Sequence, residues 1–185
     1  MKKKILWLIS LGLTLILSTL TACSTPTNLP TLSEDEQTEA DIYAAVVHQL
    51  YTRDHSFGEA PNFPNIYLVE ATNDTVGDPD ILQAPSRRLP ESIQVTITAA
   101  LDDLPTKVKW AEDFLEVPRD NKTGVVKGNG AIITLGNIHF QEDGTAFVSA
   151  SIYIANLAAS GRTYIVERID GVWQIVGDTG MMWIS

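Results

Sequence analysis

The chain has 185 residues, with 13 Lys and Arg against 23 Asp and Glu, 44% hydrophobic residues and one cysteine. That apolar fraction excludes a disordered chain, and a lone cysteine excludes an intrachain disulfide scaffold. A net charge of −10 repels phosphate backbones and argues against nucleic-acid binding.

Lys2, Lys3 and Lys4 precede an uncharged run from Ile5 to Leu20. As a helix that run reaches about 24 Å at ~1.5 Å per residue, short of a hydrocarbon core of about 30 Å. A basic head, a short apolar stretch and small residues behind it follow the pattern of a secretory signal peptide. Leu20-Thr21-Ala22-Cys23 then resembles the lipobox of bacterial lipoproteins. The resemblance implies that the Cys23 thiol receives a diacylglyceryl group, that cleavage falls before it, and that a further acyl chain such as palmitate caps the new amino terminus. Two or three chains, at ~0.8 kcal/mol per buried CH₂, hold a protein stably on a membrane where one does not. The expected organisation is a signal peptide over residues 1–22, a lipidated tether over 23–32 and one domain over 33–185. The expected location is the extracytoplasmic face of a bacterial cell membrane, or the outer membrane where there is one. Without the leader the side chains number 10 basic against 23 acidic, a balance of −13.

Residues 24–31 are rich in Ser, Thr and Pro and read as an extended tether. Ser33 and Glu36 form a capping-box pattern, and Tyr43, Val46, Val47 and Leu50 fall on one helical face, predicting a helix over 34–52. Asn65 to Ala71 alternates as a strand, and residues 72–88 read as a long loop. Leu89-Pro90-Glu91 opens a second helix, with Pro90 at its first position and Ile93, Ile97, Ala100, Leu101 and Leu104 on its apolar face. The β-branched run Val95 to Thr98 leaves a strand as the alternative there. A strand begins at Lys107, and residues 118–130 are a Gly-containing loop, which suits either a hairpin connection or a flap over a pocket. From Ala131 the pattern is β. Ile132–Leu135 and Ile138–Phe140 flank Gly136-Asn137, and Ala146 to Ala155 alternates with Phe147, Ser149, Ser151 and Tyr153 on one face. Asp170-Gly171 is a two-residue hairpin turn. It sets Ile169 opposite Val172, Arg168 opposite Trp173, Val166 opposite Ile175 and Tyr164 opposite Gly177, and lays the Arg168 stem across Trp173 for about 0.5–1 kcal/mol. The last residues, Met181 to Ser185, are expected to be tied into the sheet, with either Met182 and Ile184 or Met181 and Trp183 buried, the alternative being an exposed edge used by a partner strand.

The order helix, strand, helix, then a run of strands predicts an α+β fold: an antiparallel curved sheet of about five to six strands with two helices packed on one face. This order and the closing Asp-Gly hairpin are similar to the cystatin-like and nuclear-transport-factor-like α+β cone folds. That resemblance implies a pocket between helix and sheet, in folds that serve as enzymes, carriers and interaction modules alike.

Catalytic motifs are sparse. There is no nucleophile elbow, phosphate loop or His-Glu-x-x-His. His48, Asp54 and His55 gather near the end of the first helix and are candidates for an acid–base site of an extracytoplasmic hydrolase, although cations at a helix C-terminus account for the same letters. Asp74, Asp78 and Asp80 supply oxygen ligands in a loop, but Pro79 breaks the alternation that a calcium loop requires, and no metal or other cofactor is expected. Glu112, Asp113 and Glu116 suit the paired carboxylates of a glycosidase only if they converge, and adjacent strand residues face opposite ways. His139 alternates with Ile138 and Phe140 and is expected to face outward. The function that follows from the sequence is a membrane-anchored acidic domain that binds an envelope protein or a small ligand, with hydrolysis near His48, Asp54 and His55 as the alternative.

Overall fold

The structure, a computed structural model, describes residues 31–55, 63–80 and 83–185. The leader, the lipobox with Cys23 and most of the tether lie outside the described residues.

Helix α1 runs from Glu34 to Thr52 and begins where the capping box places it: the Ser33 hydroxyl accepts from the Glu36 amide while the Glu36 carboxylate accepts from the Ser33 amide. Strand β1 (Asn65–Val69) leads through a single 3₁₀ turn at Asp74–Val76 to helix α2 (Glu91–Ala100). Pro90 caps α2 from outside rather than occupying its first turn, and the last helical residue is Ala100. The β-branched stretch is helical, with its threonine hydroxyls bonded within the helix. Thr96 and Thr98 donate to the carbonyls of Ser92 and Gln94, four residues back. Strands β2 (Lys107–Ala111), β3 (Gly130–Phe140), β4 (Ala146–Ala155), β5 (Ala158–Ile169) and β6 (Val172–Ile184) complete the chain.

The six strands form one sheet in the order β2-β1-β3-β4-β5-β6. The sheet is mixed, not antiparallel as the sequence led us to expect, because β1 pairs in parallel with both β2 and β3. Parallel neighbours need a crossover of a dozen or more residues. The segment carrying α2 supplies one between β1 and β2, and residues 112–129 supply another between β2 and β3. From β3 onward the connections are short and every pairing is antiparallel. Gly136-Asn137 does not separate two strands; it lies at a register shift within β3.

Alternate residues of the strands enter different clusters. Ile66, Leu68, Ile133, Leu135, Val148, Ala150, Ile152, Tyr164 and Val166 join the buried residues of α1 and α2 in the main core. Their neighbours Val69 and Ile132 join Val117 and Val126 in a second, smaller cluster, with Tyr67, Phe114 and Tyr153 packed against it. The crossover after β2 therefore packs against strand residues that alternate with the main core.

The closing hairpin turns through Asp170 and Gly171, both at positive φ (51° and 85°). Its register agrees with the turn as far as Val166 opposite Ile175. Beyond that a bulge at Val176 shifts the pairing, so Tyr164 opposes Asp178 instead of Gly177. The Arg168 Nε donates to the Gly171 carbonyl, and Trp173 meets Phe140 edge-on with centroids 6.2 Å apart. The C-terminus is held in the sheet, with the Ser185 amide bonded to the Ala159 carbonyl. None of Met181, Met182, Trp183 and Ile184 is buried, because β6 is the last strand of the sheet.

Candidate functional site

Cross-strand register builds a row across the sheet. Thr134 of β3 pairs with Ser151 of β4, Ser151 with Gly161 of β5, and Gly161 with Trp183 of β6. Thr134 and Ser151 alternate with main-core residues, so their side chains point to the opposite side of the sheet from the main core. The row's Thr134, Ser151 and Trp183 line a cleft of about 590 Å³, larger than three other described hollows of 250–350 Å³.

Gly161 gives the cleft its shape. A Cβ there would lie 2.1 Å from the Val76 carbonyl oxygen and 2.5 Å from Trp183 Nε1. Only hydrogen at this position lets the indole lie against the strand and donate to the Val76 carbonyl at 2.9 Å. That bond joins β6 to the loop after β1. Opposite, Phe114 and Tyr153 meet edge-on at 5.0 Å, and the Arg119 guanidinium covers Phe114 at 4.3 Å from its centroid. The three rings thus sit on three separate elements, each fixed by a contact of its own.

The loop wall carries Thr72, Asn73 and Val76 and is pinned by Asp74. The Asp74 carboxylate is buried and accepts from the amides of Ala84 (2.8 Å) and Asn137 (2.6 Å), from Asn137 Nδ2 (3.1 Å) and contacts His139 Nε2 at 3.0 Å. Burial opposes its ionisation, but these hydrogen bonds outweigh burial and hold the carboxyl below the ordinary carboxylate range. The register shift at Gly136-Asn137 makes room for it, since a Cβ on Gly136 would come within 2.6 Å of Asp74 Oδ1. Next in the loop, the Asp78 amide donates to the Thr163 hydroxyl, and Asp78 accepts from the Asp80 amide.

The loop aspartates therefore organise the loop itself. Asp74 spends its oxygens on protein donors, and no group of three His, Cys, Asp or Glu side chains is arranged to hold a metal among the described residues. His139 does lie away from the main core, yet the loop covers it and its ring contacts Asp74.

The helix-end candidates are not gathered at one point. His48 is half-exposed and pairs with Asp103 at 3.2 Å. Asp54 accepts from Gln49 Nε2 at 3.1 Å and lies 3.8 Å from Arg162. His48 and Asp54 line different hollows. His55 is buried, and burial lowers its pKa, with Asp54 pulling the other way. The bulge at Val176 assembles a polar group that was not anticipated: Arg162 bonds Asp178 at 3.1 Å, facing Asp54 and the buried Tyr164. Burial, with the nearby Asp54 carboxylate, raises the pKa of the Tyr164 phenol.

Glu112 bonds Arg88, while Asp113 caps the next turn through the amides of Leu115 and Glu116. Among the described residues, Asp113 is the only charged one lining the cleft. Of the cleft residues, Ser151 and Tyr153 were foreshadowed by the alternation of β4. Trp183, Gly161 and Thr134 join them only through strand pairing. No protein-family model, no curated protein and no solved structure matches this chain.

Proposed function

We propose that the chain is a membrane-anchored extracytoplasmic lipoprotein whose acidic α+β domain is a binding module. In this reading a small ligand occupies the cleft. The observation that carries it is the cleft: rings from three elements around a floor of short hydroxyl side chains, of a size within the roughly 300–1,000 Å³ of small-molecule sites. Catalysis by His48, Asp54 and His55 would need titratable groups within about 3 Å of one another, facing substrate. Instead His48 is paired with Asp103, and Asp54 with Gln49 and Arg162. Support for the anchor is the lipobox pattern ending at Cys23.

The anchor is tested by Cys23→Ala. Unprocessed precursor without incorporated fatty acid is the expected result, and normal processing with membrane retention refutes it. The binding site is tested by NMR on the full chain in detergent with a mixture of small neutral, cationic and anionic compounds. Shifts confined to residues around Thr134, Ser151 and Trp183 are expected. Shifts only around His48 or Asp54 would move the site to the helix end.

A further inference from the structure

The cleft's polar groups define what it can take. The Thr134, Ser151 and Ser86 hydroxyls line the cleft. Asn73 uses its carbonyl oxygen on Thr75, leaving its amide donors open to the cleft. Asp113 uses one carboxylate oxygen on the turn and leaves the other. A ligand seated over the row displaces the water that satisfies these groups. A ligand without donors and acceptors of its own would strand them, at about 1–3 kcal/mol each. That excludes a fatty chain and a quaternary ammonium, although the rings alone would suit both. Among the described residues the one charged side chain lining the cleft is the acidic Asp113, while the Arg119 guanidinium lies against the Phe114 ring. The domain's negative balance also repels anions.

An uncharged ligand with apolar ring faces and hydroxyls along its edges meets both the rings and the polar groups of the cleft. We infer that the cleft binds a neutral saccharide of one or two units, the ring packing against Phe114, Tyr153 or Trp183 and its hydroxyls bonding to Thr134, Ser151 and Asn73. This inference rests on the cleft being a binding site and names its ligand class.

The test is an NMR titration of the full-length chain in detergent with glucose, galactose, N-acetylglucosamine and their β1,4-linked disaccharides. Octanoate and tetramethylammonium serve as the apolar and cationic probes. Expected are saturable shifts at the Thr134, Ser151 and Gly161 amides and the Trp183 indole N–H from at least one saccharide. Thr134→Val with Ser151→Ala should weaken that saccharide at least tenfold while the dispersed spectrum of the folded chain persists. Should the double variant fail to fold, Ser151→Ala alone should weaken it at least threefold. Shifts at these residues from octanoate or tetramethylammonium, with none from any saccharide, overturn the ligand class and leave the binding site standing. Silence from every probe overturns the saccharide, and silence from the broader compound mixture as well overturns the site.

Discussion

Replacing Asp74 with alanine removes the one carboxylate that ties the cleft wall to the sheet. Two backbone amides, Ala84 and Asn137, and the Asn137 side-chain amide lose their acceptor, and His139 loses its partner. At about 1–3 kcal/mol for each buried donor left unsatisfied, and with water reaching part of the loop, the expected cost is about 3–5 kcal/mol. For a domain of this size that corresponds to a fall of about 10–15 °C in Tm. The pH dependence has a definite sign. Because the folded carboxyl titrates below its ordinary value, its stabilisation is fully present above the unfolded pKa of about 4 and is lost as pH falls through the folded pKa. The gap between parent and Asp74→Ala should therefore be widest at pH 6–7 and narrow below pH 3. Thermal melts by circular dichroism at pH 2.5, 4 and 7 measure it. A change in Tm under 3 °C at pH 7, or a gap that does not vary with pH, would refute the assignment of Asp74 as the loop's anchor.

Three other perturbations probe the remaining parts of the account. Gly161→Ala cannot keep the indole in place, so the Trp183 N–H should lose its bond to Val76 and exchange rapidly with solvent, with a stability loss of about 1–3 kcal/mol from overpacking; an unchanged indole resonance contradicts the geometry. His55 is buried with a lowered pKa, so the unfolded chain takes up its proton first and stability falls as pH drops through about 6.5. His55→Gln should flatten that limb of the stability curve between pH 7.5 and 5.5, and an equally steep limb in the variant assigns the effect elsewhere. Deleting residues 181–185 removes the pairings of Ser160 with Ile184 and Gly161 with Trp183, so the melting temperature should fall and the cleft open on one side; an unchanged melt would show that the terminus contributes to binding alone.

What the sequence disclosed and what it concealed divide along contact range. The Ser33–Glu36 capping box, the buried face of α1 and the Asp170-Gly171 turn depend on residues two to four apart, where helix periodicity and turn chemistry act directly. The same local logic follows the hairpin register to Val166 and fails at Val176, because a bulge depends on what the strand packs against and not on the turn. Parallel pairing of β1 was hidden, since a short alternating strand reads alike in either direction and its neighbours are chosen by crossovers. The Asp74 contacts span 63 residues to Asn137 and 65 to His139. In the sequence Asp74 therefore looked like a loop acid among others, a candidate metal ligand rather than an anchor. The cleft is the extreme case. Thr134, Ser151, Gly161 and Trp183 are ordinary residues at unremarkable positions, and four strands must pair in register before they form a surface.

The central claim is that the cleft lined by Thr134, Ser151 and Trp183 is where this domain meets its ligand. A crystal structure of the chain bound to the compound giving the strongest NMR shifts tests it most directly. The account predicts ligand density over the row from Thr134 to Trp183, within hydrogen-bond distance of the Thr134 and Ser151 hydroxyls. Density seated at the helix end beside His48 or Asp54, with the cleft holding only water, would contradict it.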